Sequence, residues 1–259
     1  MPNTTLPVDR STRWIFLSPH LDDAVFSCGG LISYLTESEI PVEIWTIFSD
    51  QDNDVSRSSE YARSLHSRWG AGDYPYLIRK QEDYSACKMV GAIPVHFGFL
   101  DCIYRVLPAS GRPVVASDED LINSEITAEQ PLIRQVSDEL IKRISEPSMW
   151  VCPLSLGGHI DHRITRMAAE ATHKLMLYYA DLPYAIDRPV QSFNGMIRLS
   201  LHLPEENVQK WGMANLQYTS QISSFWEDGV EMASRYSDYL DRYKGMPLWL
   251  PNPVESGRK

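Results

Sequence analysis

The sequence predicts an α/β fold: a mainly parallel sheet with helices on both faces, followed by a C-terminal strand and helices. Three observations carry this. Short runs made almost wholly of apolar residues recur along the chain, as strands covered on both faces require. Segments with apolar residues at helical spacing lie between them. The two densest clusters of His and Asp each directly follow one of the apolar runs, where an open parallel sheet gathers its ligand groups.

The elements follow in order. Trp14 to Ser18 (WIFLS) is the first strand, and Ala24 to Leu35 is a helix with Val25, Cys28, Leu31, Ile32 and Leu35 at helical spacing. Val42 to Phe48 is a second strand, Val55 to Trp69 and Tyr76 to Val90 are helices, and Pro94 to Phe99 is a third strand. Tyr104 to Ile126 lacks periodicity, and so long an ordered loop suits a lid or a substrate wall. Pro131 to Ile144 is an amphipathic helix with Pro in its first turn. Met149 to Leu154 is the fourth strand, leading through Gly157-Gly158 to a helix from His162 to His173 and a fifth strand from Lys174 to Tyr179. Beyond a Pro- and Asp-containing loop (181–189), Met196 to Leu203 reads as a strand, and Glu205 to Tyr218 and Gly229 to Tyr243 as helical.

A chain of 259 residues can bury a core without cross-links. No repeat or low-complexity linker divides it, so one domain over 1–259 is expected, with a core of about 12–180 and a substrate-side extension of about 181–259. The net charge of −10 argues against nucleic acid and anionic membranes, which require clustered Lys and Arg. Cys28, Cys87, Cys102 and Cys152 show no paired spacing and sit mostly in apolar stretches, which predicts free buried thiols. The polar segment Met1 to Arg13 is no signal peptide, and no apolar run approaches the ~20 residues of a membrane span; a cytoplasmic protein is expected.

The chemistry lies in His20-Leu21-Asp22-Asp23 after the first strand and His159-Ile160-Asp161-His162 after the fourth. Strand ends in one sheet can bring the two together. A catalytic zinc takes about three His or carboxylate ligands and keeps one position open. A further carboxylate can shuttle protons, and a spare imidazole can stabilise an oxyanion. Plainer explanations exist for each residue alone: Asp22 and Asp23 as helix caps, His159 and His162 as polar residues at a helix start. Three of only seven histidines falling in these two clusters favours the metal site.

The run Ser18-Pro-His-Leu-Asp-Asp-Ala with Gly29-Gly30 closely resembles the first motif of the LmbE-like family, also called the PIG-L deacetylases, and His159-Ile-Asp-His162-Arg resembles its second. Arg79-Lys-Gln-Glu-Asp, Phe97-Gly-Phe-Leu-Asp101, Tyr178-Tyr179-Ala-Asp-Leu-Pro-Tyr184 and Tyr218-Thr-Ser-Gln221 extend the similarity over nearly the whole chain. The resemblance implies a Rossmann-like sheet, a zinc ion (or another divalent transition metal) and removal of an acetyl group from an N-acetylglucosamine-type amino sugar. It implies His20, Asp23 and His162 as metal ligands and Asp22 as general base. It also implies His159 as oxyanion or leaving-group partner, Asp161 as an orienting partner for an imidazole, and Arg79 and Asp101 as substrate contacts.

One departure stands out: Gly157 occupies a position where some relatives carry a Tyr that polarises the acetyl carbonyl; either zinc and His159 act there unaided, or a residue of another loop substitutes, with Tyr104 and Tyr184 as candidates. The first motif also differs from the Pro-His-Pro-Asp-Asp-Glu usual in thiol-biosynthesis and inositol-lipid relatives. An aminoglycoside or glycopeptide antibiotic precursor is therefore the leading substrate class, and the protein's negative charge tilts toward the amine-bearing aminoglycoside. A cell-surface glycan or thiol-precursor sugar is the alternative. Trp45, Trp69, Tyr104 and Trp150 are candidate sugar-stacking surfaces, though aromatics in apolar runs are more often core. A phosphoesterase needs more carboxylate ligands, and a non-catalytic sugar-binding module would bind no zinc.

Overall fold

The computed structural model describes residues 9–145, 147–187, 193 and 195–252. Seven strands form one sheet: β1 (Arg13–Ser18), β2 (Val42–Thr46), β3 (Ile93–His96), β4 (Ser148–Pro153), β5 (Met176–Tyr179), β6 (Met196–Leu201) and β7 (Met246–Pro251), in the order β3-β2-β1-β4-β5-β7-β6. The first five are parallel, and β7 runs antiparallel to both β5 and β6. β1 lies inside the sheet between β2 and β4, and Ile15, Phe16 and Leu17 are wholly buried, as its unbroken apolar sequence requires.

The helices are α1 (Asp23–Glu37), α2 (Glu60–Arg68), α3 (Pro75–Val90), α4 (Asp118–Asn123), α5 (Gln130–Lys142), α6 (Ile160–Glu170), α7 (Tyr184–Asp187), α8 (Glu205–Asn215), α9 (Thr219–Phe225) and α10 (Gly229–Tyr243). α1, α3 and α8 pack as one group, and α5 and α6 as another. Strand order runs one way from β1 to β3 and the other way from β1 to β5. Right-handed crossovers therefore put the two helix groups on opposite faces. The same reversal opens a crevice beyond the ends of β1 and β4. The two His/Asp clusters leave those ends.

Three sequence expectations change in detail. The helix expected over 55–69 divides into a short 3-10 turn (Val55–Arg57) and α2, which Ser59 caps by accepting from Ala62 N at 3.0 Å. The loop expected over 104–126 contains α4. β7 escapes sequence reading because Pro247 and Pro251 argue against a strand; β5 pairs only with Leu248 and Trp249, so Pro247 lies beyond that pairing. Residues 188–189 of the expected loop lie outside the described residues.

Gly29 and Gly30 have a packing reason. They lie in α1 where α8 crosses it, and a Cβ on Gly29 would overlap the indole ring of Trp211, whose Nε1 donates to Val25 O at 2.7 Å. Leu203 and the same indole crowd Gly30. Glycine lowers helix propensity here by up to about 1 kcal/mol, a cost that close approach of the two helices offsets. Gly29→Ala is expected to destabilise the protein by about 1–3 kcal/mol through overpacking. Thermal unfolding measures this, and an unchanged or higher Tm would show that Trp211 gives way freely.

Candidate active site

The loop after β1 is pinned before any chemistry begins. Ser18 Oγ accepts from Ala24 N at 3.0 Å and donates to His20 O at 2.5 Å, folding the segment back on itself. Asp23 turns its carboxylate toward the same loop, where Oδ2 accepts from His20 N at 2.8 Å. That oxygen lies 3.1 Å from His20 Nδ1 and 3.3 Å from His162 Nε2. Ligand atoms of His20, Asp23 and His162 fall within 4.8 Å of one another, and all three residues are buried.

Each imidazole gives its other nitrogen to a carboxylate. His20 Nε2 lies 3.1 Å from Asp161 Oδ2, and His162 Nδ1 lies 2.6 Å from Asp181 Oδ1. Metal-binding histidines are commonly oriented in this way, because the carboxylate fixes tautomer and ring plane. Asp161 is itself held by Arg105 Nη2 at 2.6 Å and by Cys102 N at 3.0 Å. Burial works against its charge, but Arg105 and His20 outweigh burial and keep its pKa well below the usual carboxylate range.

Asp22 does something different from its neighbour. It stands at the N-cap of α1, yet its side chain makes no capping bond; Arg79 Nη2 approaches its Oδ2 at 3.5 Å instead. Burial pushes its pKa up to about 6, with Arg79 opposing. Arg79 is 4% exposed, its guanidinium 5.0 Å above Trp69 and 5.1 Å above Tyr76, so it is no solvated helix charge. Asp101 is buried as well. It accepts from Tyr76 Oη and from Ile103 N at 3.1 Å and lies 3.7 Å from His20 Nε2. Burial alone would raise its pKa, but His20 and Arg79 pull it lower.

His159 both caps and faces the site. Its Nδ1 accepts from Asp161 N at 3.2 Å at the start of α6, and its ring stands edge-on to His20 with centroids 4.9 Å apart. Burial, followed by the positive His20 and His162, pushes its pKa down to about 3. A neutral ring that accepts at Nδ1 carries its proton on Nε2.

All eight residues singled out from sequence thus meet in one place. His20, Asp22, Asp23, Arg79, Asp101, His159 and His162 line a cavity of ≈350 Å³, and Asp161 lies directly behind it. Asp181 and Arg105 are additions, and of the two tyrosines weighed against Gly157 only Tyr184 lines the cavity. Asp181 carried a readable signal, because it follows the end of β5 as His20 follows β1. Of the proposed stacking surfaces only Trp69 lines the cavity. Trp45 and Trp150 are buried in the core with ring centroids 5.5 Å apart, and the Tyr104 hydroxyl is taken by His66 Nε2 at 2.6 Å.

The motif around Arg79 also explains the late helical segment. Glu82 Oε1 accepts from Thr219 Oγ1 at 2.7 Å and from Ser220 N at 2.8 Å, and Tyr218 Oη donates to Asp83 Oδ1 at 2.8 Å. These buried carboxylates hold the start of α9, which carries Gln221 and Phe225 to the cavity.

The charge balance fits a dication. Asp22, Asp23, Asp101, Asp161 and Asp181 crowd the site, and the guanidiniums of Arg79 and Arg105 pair with Asp22 and Asp161. His20 is pushed well above its ordinary pKa because Asp101, Asp161 and Asp23 outweigh its burial. Two nitrogens and a carboxylate oxygen suit zinc.

The family model for PIG-L, described as GlcNAc-PI de-N-acetylase, matches residues 15–173. The chain belongs to the PIG-L family. It is a metal-dependent hydrolase of an N-acyl amide bond, as the sequence motifs imply, and its sheet is that of this family. Two curated relatives are 2'-N-acetylparomamine deacetylases. That of Niallia circulans is 24% identical over 66% of this chain and 67% of its own length. That of Streptomyces fradiae is 24% identical over 73% of this chain and 66% of its own. The chain therefore spans about two thirds of the length of these relatives. Among solved structures, the zinc-inhibited form of teicoplanin deacetylase superposes with a TM-score of 0.81 at 26% identity, covering 92% of this chain and 97% of that one.

Among the described residues no helix is long and apolar enough to cross a membrane.

Proposed function

We propose that the PIG-L chain is a zinc-dependent deacetylase of an N-acetylated amino sugar borne on a glycopeptide-like scaffold. His20, Asp23 and His162 would hold the zinc. Bound there, the ion would lower the pKa of a water to about 7 and polarise the acetyl carbonyl. Asp22 takes the proton of the attacking water as the carbon–oxygen bond forms, and returns it to the amine nitrogen as the carbon–nitrogen bond breaks. His159 offers its Nε2–H to the oxyanion, held in that tautomer by the Asp161 backbone. Asp161 and Asp181 orient the two metal-binding imidazoles. Arg79 and Asp101 flank the sugar. Acetate and a free amino sugar leave.

The observation that carries the scaffold is the cavity's outer wall. Leu65 and Trp69 on the α2 side, Leu121 and Ile122 of α4, and Phe225 of α9 line it, and Ile122 and Phe225 are 42% and 40% exposed. Exposed apolar side chains gathered at a cavity mouth favour a partner with apolar surface. The apolar wall therefore favours the glycopeptide-like scaffold over the aminoglycoside toward which the net charge of −10 tilts. Free-amine release from an N-acetylglucosaminyl glycopeptide and from 2'-N-acetylparomamine tests this. A kcat/KM about tenfold or more higher for the glycopeptide is expected, since one apolar contact is worth ~10-fold or more. Equal or reversed preference would sink the scaffold assignment and leave the deacetylase reading in place.

We read residues 1–259 as one domain, because the C-terminal segment supplies two strands to the central sheet and Gln221 and Phe225 to the cavity. The four free buried thiols support a cytoplasmic location, and the negative charge a protein without nucleic-acid or membrane partners.

A further inference from the structure

The cavity contains a hydroxyl whose role the metal ligands and the base leave open. Tyr184 begins α7, just after the β5 end that bears Asp181, and lines the cavity together with Asp22, Asp23 and His162. Its ring stands edge-on to His162, 85° between planes and 5.7 Å between centroids. Among the described residues its hydroxyl has no hydrogen-bond partner. A phenol carries its proton at neutral pH, so this hydroxyl can serve as a donor.

Gly157 faces this ring. Its φ of +86° is one that side-chain-bearing residues rarely adopt, and a Cβ built there would come within 2.8 Å of Tyr184 Cγ and Cδ1. Residue 157 is thus bare where Tyr184 enters. Tyr104 cannot substitute, because it does not line the cavity and its hydroxyl is engaged by His66.

We propose that the Tyr184 hydroxyl is a catalytic hydrogen-bond donor to the acetyl oxygen, seated against His162 because residue 157 is a glycine. The inference rests on the deacetylase reading. The phenolic proton stays on Tyr184 throughout; its hydrogen bond shortens as negative charge grows on the acyl oxygen, opposite the Nε2–H of His159. Two donors from separate loops then grip one oxygen, one from the turn before α6 and one from α7.

Tyr184→Phe tests this, because it retains the ring that packs on Gly157 and His162. With a substrate that the parent enzyme hydrolyses, kcat is expected to fall by about 10²–10³-fold, as on removal of one oxyanion donor, while KM changes little. Zinc content and Tm should match the parent. Independently of turnover, affinity for an analogue bearing a methylphosphonyl group in place of the acetyl should fall by a similar factor, and affinity for the free amine product should not. An unchanged kcat and unchanged phosphonyl affinity would overturn the proposal, and so would a loss confined to KM. Such results in a variant whose parent releases amine would leave the deacetylase reading intact. A parent that releases no amine from any N-acetylated sugar would overturn both.

Discussion

Asp22→Asn is expected to lower kcat by about 10²–10⁴-fold while the purified protein keeps its zinc, the range spanned by loss of a general acid–base group. Asparagine preserves the shape of the side chain at the N-cap of α1. It removes the carboxylate that could take a proton, and leaves His20, Asp23 and His162 undisturbed. The choice between the two adjacent aspartates rests on geometry: Asp23 Oδ2 is surrounded by His20 and His162, whereas Asp22 faces Arg79 and the cavity. A base that must also hand its proton on benefits from a pKa near neutrality, and burial moves Asp22 in that direction. Metal analysis beside steady-state rates checks the prediction. A variant that turns over normally would remove Asp22 from the chemistry, and one that loses its zinc would make it a ligand.

Removing the metal should be the largest perturbation of all. A chelator is expected to abolish turnover, with zinc restoring it, and His162→Ala should reproduce the loss through reduced metal content. Stability should fall as well. A ligand at about a thousand times its Kd contributes about 4 kcal/mol, which for a domain of this size shifts Tm by on the order of 10 °C. The metal-free protein should also acquire a pH dependence that the zinc form lacks. The carboxylates around His162 raise its pKa from 6.5 to about 9, outweighing burial. Protonation therefore stabilises the metal-free fold fully below pH 6.5, and that stability drains away as pH rises through 9. Scanning calorimetry of both forms from pH 6 to pH 9 measures it. A metal-free Tm that rises across this window would contradict the assigned surroundings of His162.

Much of this site is legible in the sequence, for a physical reason. Catalytic groups that leave the ends of neighbouring parallel strands are forced together by strand order, so His20 and His162 can be paired without coordinates. The same reasoning extends to Asp181 after β5, which was readable and passed over because it sits among loop-forming residues. Arg105 carried no local signal at all; it matters because Asp161 is buried behind the cavity, and burial is not written in a tetrapeptide. Tyr184 and Gly157 form a pair only through tertiary contact. The plainer reading holds for the aromatics in apolar runs: Trp45 and Trp150 pack on each other in the core, and of the four candidates only Trp69 lines the cavity. β7 was hidden by its prolines.

That last strand bears on how the protein is made. β7 lies between β5 and β6, though it is the last of the seven in the chain. Until residues 246–251 have left the ribosome, β5 has a neighbour on one side alone and shows its unpaired edge to whatever is near. Asp181, which steadies His162, leaves the end of that half-finished strand. His20 and Asp23 thus sit beside the inner strands β1 and β4, whereas the carboxylate beside His162 follows a strand whose second edge is covered only by residues far along the chain.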